Sequence, residues 1–379
     1  MYGLRVAAVG DGACAVFLSG GGTQPVAIID CGSKGHPERA VDGLRRITDL
    51  TRHPSVTIVV THLHSDHYNG LRHLSQALGR RHVFGKVELV QARLPRHPVV
   101  TEFVARFLAM ELRLGEVSGI PDLDLANELR RSTRYGLQRE PRSAGESFTV
   151  GGHTFDVLWP PAELTTGMSV RVRRAVDGFD SLAASDPALN AALDRVRRSG
   201  LLEPDATPPT RAEGQDQLDE DIDNIEPWAE EESGWIPRLH PGSHDVDDPI
   251  PSYPESLTGE VREAARHFGE AANYMSLVFA TPRRDFVAFG DVPLPTARRI
   301  AKAYRSPSHP QTGGALVLAP HHGSQGATPS FGLPYFCIAQ NGRGLNEKWA
   351  AKHEPCDGSL CVSTHEEGDL VLSPTWPRW

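Results

Sequence analysis

The chain has 379 residues, 39% hydrophobic and 23% charged, with a formal net charge of −9. This is an ordinary globular composition, long enough for a large core or two domains, and no stretch approaches the roughly 20 apolar residues of a membrane helix. Five scattered cysteines exclude a disulfide framework and the opening residues do not resemble a secretory signal, so a cytoplasmic protein without membrane contact is expected.

The runs "LRVAAVG", "CAVFLSG" and "VAIIDCG" read as short strands separated by Gly-rich turns. "ERAVDGLRRITDL" places Val41, Leu44, Ile47 and Leu50 on one helical face. The buried-strand run "SVTIVV" leads into "THLHSDHYNG", and a helix restarts at "NGLRHLSQAL". "KVELVQARL" is a further strand. Residues 101–140 read as a charged helical excursion. "ESFTVGGHTFDVLWPP" reads as a hairpin around Gly151–Gly152, and a helical pattern returns from Met168 to Leu202.

From Glu203 to Glu255 there are 16 Asp and Glu against Arg211 and Arg238, so this segment holds the acidity and the rest of the chain is mildly basic. Few apolar residues and no period mark it as a long loop or partly disordered insertion within 165–260. It is either a solvated surface loop or a flap that guards the site from polyanions. "MSLVFAT" and "DFVAFGD" form the next hairpin-like pair. "PTARRIAKAY" is a helix, and "ALVLAPHHGS" is a strand ending in histidines. "YFCIAQNG" and "LCVSTHEEGDLVL" close the chain with strands, and the terminal "WPRW" is expected to pack on the body. The order predicts an α/β protein with mixed sheets, built as one domain over 1–379 with insertions.

His62 and His64 are two apart in an extended segment, so both side chains face one way, and Asp66 and His67 follow at the turn. Imidazole and carboxylate at a strand end are the donors that hold Zn²⁺, Mn²⁺ or Fe²⁺. No Gly-x-Ser-x-Gly elbow and no Gly-Lys-Ser/Thr loop is present. "GDGAC" and "SGGGT" read as turns, Cys14 as a core residue, and "CDGSLC" as structural. Asn273 either orients substrate or a ligand, or caps a strand.

"HLHSDH" resembles the HxHxDH signature of the metallo-β-lactamase superfamily. The chain is similar in particular to the hydrolase domain of ComEC competence proteins, which act in DNA uptake. The similar blocks are "LRVAAVGDGACAVFL", "VAIIDCGS", "NYMSLVFATPRRDFVAFGDV", "LAPHHGS" and "VSTHEEGDLVL". The resemblance implies a four-layer αββα sandwich with a metal site at one edge between the sheets. Asp30 would brace the metal loop. His62, His64, Asp66, His67, Asp291 and one histidine of "HHGS" would hold two divalent ions, zinc or else manganese, with Asp291 bridging. His322 is favoured as the last ligand and His321 as its neighbour in proton transfer, with the reverse order open. On an extended segment the two would point to opposite sides. The superfamily's further downstream histidine has no evident counterpart, since neither His97 nor His153 stands in a fitting context.

Two ions can activate water and clamp both oxygens of a displacement, so no side-chain nucleophile is required. The leading expectation is a phosphodiesterase or nuclease, with Asp66 and His321 catalytic and Asn273 at the substrate. Its partner would be a nucleic acid or a small phosphodiester, and tracts such as "RRSTRYGLQREPR" would meet a phosphate backbone or simply be solvated. A metallohydrolase of a small ester, lactone or thioester is the second reading, and a non-catalytic metal-binding sensor or scaffold the third.

Overall fold

Short apolar runs build two sheets in chain order. Strands β1 (Gly3–Val6), β2 (Cys14–Leu18), β3 (Pro25–Cys31), β4 (Val56–Val60), β5 (Val87–Ala92) and β6 (Leu137–Arg142) form the first. The second holds β7 (Ser147–Val150), β8 (His153–Trp159), β9 (Val278–Ala280), β10 (Phe286–Ala288), β11 (Ala315–Leu318), β12 (Tyr335–Ala339) and β13 (Leu360–Ser363). The last described strand, β14 (Leu370–Leu372), returns to pair with β1, so each sheet has seven strands among the described residues. The helices are α1 (Pro37–Ile47), α2 (Asn69–Ala77), α3 (Pro98–Leu114), α4 (Leu125–Ser132), α5 (Thr166–Ala183), α6 (Pro187–Arg198), α7 (Gly259–Tyr274), α8 (Leu294–Ala303), α9 (Arg343–Lys352) and α10 (Thr364–Glu367). The computed structural model describes residues 3–19, 22–52, 54–79, 81–114, 124–199, 259–304, 315–324, 335–352 and 360–372. The acidic segment Glu203–Glu255 and the terminal "WPRW" lie outside the described residues.

The chain divides into two compact units. The first, Met1–Leu94, Leu125–Pro161 and Asn273–Trp379, contains both sheets. Along β3, β4 and β5, side chains alternate between two cores. Ile28, Ile58 and Leu89 pack with Val41 and Leu44 of α1, Leu71 and Leu74 of α2, and Leu129 of α4. Their neighbours Ile29, Val59 and Val90 face the second sheet, against Phe148, Phe155, Phe279 and Phe286. A strand covered on both faces must be apolar throughout, which explains "VTIVV". The result is two mixed sheets flanked by helices, consistent with the sandwich that the metallo-β-lactamase resemblance implies.

Each sheet has an antiparallel half and a parallel half. Strands β3 to β6 run parallel in the first sheet and β10 to β13 in the second. Loops at the carboxyl ends of parallel strands are where α/β proteins place ligands. Asp30, the segment after β4, Asp291 and the segment after β11 all lie at such ends. The hairpin at Gly151–Gly152 forms as read, with both glycines at positive φ and Val150 opposite His153. One expectation is corrected: helix does not extend to 140. Helix α4 ends at Ser132, and Leu137–Arg142 is an edge strand, where Pro141 is tolerated. No helix among the described residues is long and apolar enough to cross a membrane.

The second unit, Pro95–Asp124 and Ala162–Ala272, is helical where described. Phe103, Phe107 and Phe179 from α3 and α5 meet Phe268 of α7, with ring centroids 5.4–6.3 Å from it. Arg106 is buried beside them and pairs with Asp180 at 2.8 Å and with Glu102. The helical run predicted from Met168 is two helices, broken where Asp186 caps α6 and Pro187 starts it.

Candidate metal centre

The segment after β4 is held by Asp30. Its carboxylate accepts the Thr61 N–H at 2.8 Å, the Thr61 hydroxyl at 2.7 Å and His67 Nδ1 at 2.9 Å. A carboxylate can only accept here, so the His67 proton sits on Nδ1 and Nε2 is turned inward. His322 is fixed in the same way, because its Nδ1 donates to the Gln340 carbonyl at 2.9 Å. The two free Nε2 atoms then face each other at 3.2 Å. Two lone pairs at that distance repel unless a proton or a metal ion lies between them.

Asp291 follows Gly290 at the end of β10. Its carboxylate lies 3.4 Å from His67 Nε2, 3.7 Å from His322 Nε2 and 3.1 Å from His321 Nδ1. His62 Nε2 stands 2.7 Å from His64 Nδ1, and His62 Nδ1 is buried without a hydrogen-bond partner among the described residues. Donor atoms of His62, His67 and Asp291 lie within 4.8 Å of one another, and so do those of Asp66, His67 and His322. The two groups share His67. His64 belongs to neither, although it touches His62. Asn273 reaches His321 Nδ1 at 3.4 Å, and its Oδ1 is buried without a partner among the described residues.

Electrostatics match a cation site. Burial pushes His64 down to about 4, and burial together with His67 and His64 holds His62 well below the usual histidine range. Both are therefore neutral donors. Burial also opposes charge on His67, but Asp30 and Asp291 outweigh it and raise its pKa well above the ordinary value. Burial would raise Asp291, yet the charges of His322, His67, His321 and His62 hold it well below the usual carboxylate range. Positive charge is thus favoured between these carboxylates. A cavity of about 10 Å³ lined by Asp30, Thr61, His67, Asp291, His322 and Gln340 has room for one small body. Facing imidazole nitrogens, an orphaned His62 Nδ1 and buried carboxylates form a donor set that fits divalent metal.

The backbone is strained at the same place. Asp30, His321 and His322 have φ of 53, 52 and 54°, a region that costs non-glycine residues about 1–2 kcal/mol each. The extended backbone expected at His321–His322 is thereby corrected. The segment is a left-handed turn, and both rings reach Asp291 instead of pointing to opposite sides. Close packing backs the other loop. A Cβ on Gly32 would lie 2.4 Å from the Asp66 carbonyl carbon, and Ser33 and Asn69 exchange hydrogen bonds at 3.0 and 2.7 Å.

Thr61, Asn69 and Gln340 were not singled out by sequence. The only signals for them are an Asn-Gly pair at Asn69–Gly70 and the strand end "AQNG". His97 is exposed and accepts the Val99 N–H at 3.2 Å, while His153 is exposed at the start of β8. Neither is in the donor groups.

No curated protein matches the sequence. The family model that does match belongs to a superfamily of mostly metal-dependent hydrolases that bind divalent metals, often zinc. It ends before Asp291 and the His321–His322 pair, which rest on the geometry above. Residues 9–173, with Asp30 and the whole of "HLHSDH", match the model of the Metallo-beta-lactamase superfamily.

Proposed function

We propose that the protein is a phosphodiesterase or nuclease that uses two divalent ions, zinc or manganese. The observation that carries this reading is the pair of overlapping donor groups with the Asp291 carboxylate set between them. His62, His64, Asp66, His67, Asp291 and His322 would together hold the ions, His64 standing beside His62 at the edge of the two groups. Ions in such a pair supply Lewis acidity, which activates water and neutralises charge on a phosphoryl group. The similarity to the ComEC-type hydrolase domain supports phosphoester bonds as the target.

The chain's own groups do the rest. Asp30 and the Gln340 carbonyl fix the tautomers of His67 and His322. Asp66, the more exposed carboxylate of the set, orients water at the mouth. His321 turns Nδ1 to Asp291, which leaves Nε2 to pass a proton to the leaving oxygen. Asn273 offers its unpaired Oδ1 to substrate.

The test is metal content by mass spectrometry on the purified chain, with turnover of bis-p-nitrophenyl phosphate, single-stranded DNA and RNA set against p-nitrophenyl acetate and a lactone. One to two ions per chain and phosphodiester turnover that Asp291→Asn abolishes are expected. Ester or lactone turnover alone would make it a small-ester hydrolase. Full metal with no turnover on any substrate would make it a sensor or scaffold.

A further inference from the structure

The turn Gly10–Asp11–Gly12 lies outside the donor set, yet it touches both loops that carry it. On one side Ala13 donates its N–H to the Asp66 carbonyl at 3.2 Å, and the Asp11 carbonyl accepts the Lys34 N–H at 2.7 Å. On the other, Asp11 Oδ1 accepts the N–H groups of Gly342 at 2.8 Å and Leu345 at 3.3 Å, at the start of α9. Gln340, two residues before Gly342, gives its carbonyl to His322 and its Oε1 to the Cys14 N–H at 3.0 Å. Each side of the Asp11–Gly342 contact therefore lies within three residues of a bond to a donor loop.

The fit leaves no slack. A Cβ on Gly342 would stand 2.6 Å from the Asp11 nitrogen, and one on Gly344 2.9 Å from Asp11 Oδ2. A Cβ on Gly12 would meet the Gly32 carbonyl oxygen at 2.2 Å, and Gly32 is packed on Asp66. The first N–H groups of a helix need outside acceptors, which a neighbouring side chain commonly supplies. Here the acceptor comes from the turn that backs Asp66, so capping α9 also sets the spacing between Asp66 and the Gln340 carbonyl that orients His322.

We propose that Asp11 is a positioning residue for the metal centre, clamping the Asp66 loop of the first sheet to the His322 support of the second. The proposal rests on the reading that Asp66 and His322 share an ion. Its test is Zn²⁺ affinity of the full chain, measured by competition with a chromophoric chelator. Asp11→Ala should weaken Zn²⁺ about tenfold, the low end for loss of a group that orients ligands. Asp11→Asn should keep most of the affinity, because its amide oxygen still accepts from Gly342. Asp369→Ala is the control. Asp369 accepts the Ala8 N–H at 2.8 Å and pairs with Arg46, away from either donor loop, so its loss should lower thermal stability and leave Zn²⁺ affinity within twofold.

If Asp11→Ala does not fold, Gly344→Ala gives the same readout by crowding Oδ2. Affinity within twofold of wild type in the folded variant would overturn the proposal, as would an equal loss in Asp369→Ala. A wild-type chain that takes up no Zn²⁺ would overturn the ion reading as well.

Discussion

Between Thr61 and His67 no residue has positive φ; the strained residue is Asp30, on the neighbouring strand. Between Pro320 and Gly323 the strain sits in His321 and His322 themselves, and Gly323, at φ 81°, continues the left-handed turn without it. The first loop spreads its donors over an extended segment and a short 3-10 turn, so ordinary backbone suffices and a side chain from outside sets the ring. The second must bring two adjacent rings to one carboxylate, which an extended strand forbids. A left-handed turn does it at a cost in backbone energy. Placement in the first loop therefore depends on a side-chain brace, and in the second on main-chain conformation. Substitutions at each should fail in different ways.

Removing the brace should have the largest effect. Asp30→Ala removes the acceptor of three buried donors, of which His67 Nδ1 can still turn to the Thr61 hydroxyl oxygen at 3.0 Å. Two orphaned donors at about 1–3 kcal/mol each give an expected loss of roughly 2 kcal/mol or more in urea unfolding. Metal affinity should fall about 10–100-fold. Asp30→Asn separates the two losses. Its amide oxygen still accepts from Thr61, but its NH₂ repels a proton on His67 Nδ1. Stability should then recover in large part while metal affinity stays low. An Asp30→Asn chain with normal metal content would show that the brace is only structural.

Crowding the backs of the loops comes next. Gly32→Ala sets a methyl 2.4–2.6 Å from Asp66 and His67 main-chain atoms, so backbone must move, at about 1–3 kcal/mol. Gly290→Ala meets the Thr61 and Ser276 Cβ atoms at 3.0 and 3.1 Å and adds the left-handed penalty. Both should lower stability, but only Gly32→Ala shifts Asp66 directly. Metal per chain should drop further in that variant; the opposite order would contradict the packing.

The donors themselves were legible because they are rare side chains at close spacing, and the strands because their apolar runs are short and bounded by glycine. What holds the donors was less so. Gln340 orients His322 through a carbonyl that any residue could offer, and Asp11 reaches partners 331 and 334 positions away. Strand β6 was hidden because "LQREPR" is charged and carries a proline, features an edge strand permits. The break at Asp186–Pro187 was written in the sequence as an N-cap followed by a first-turn proline, yet it lay inside a continuous helical period. The left-handed turn at His321–His322 has no side-chain signature beyond the glycine that follows.

That turn carries the smallest and most discriminating prediction. Alanine is ordinarily better than glycine in folded backbone, because glycine loses more entropy, by about 0.5–1 kcal/mol. At His67, with no positive φ, His67→Ala should therefore be the more stable of the pair His67→Ala and His67→Gly. At His322, φ 54°, glycine escapes the left-handed penalty of about 1–2 kcal/mol, so His322→Gly should exceed His322→Ala by about 1 kcal/mol. All four variants lose a donor, so metal content should fall in each and cannot explain a reversal. Chemical denaturation of the metal-free proteins reads the order directly. The same order at both sites would mean that the two loops carry their rings on equivalent backbone, and the contrast between brace and turn would be gone.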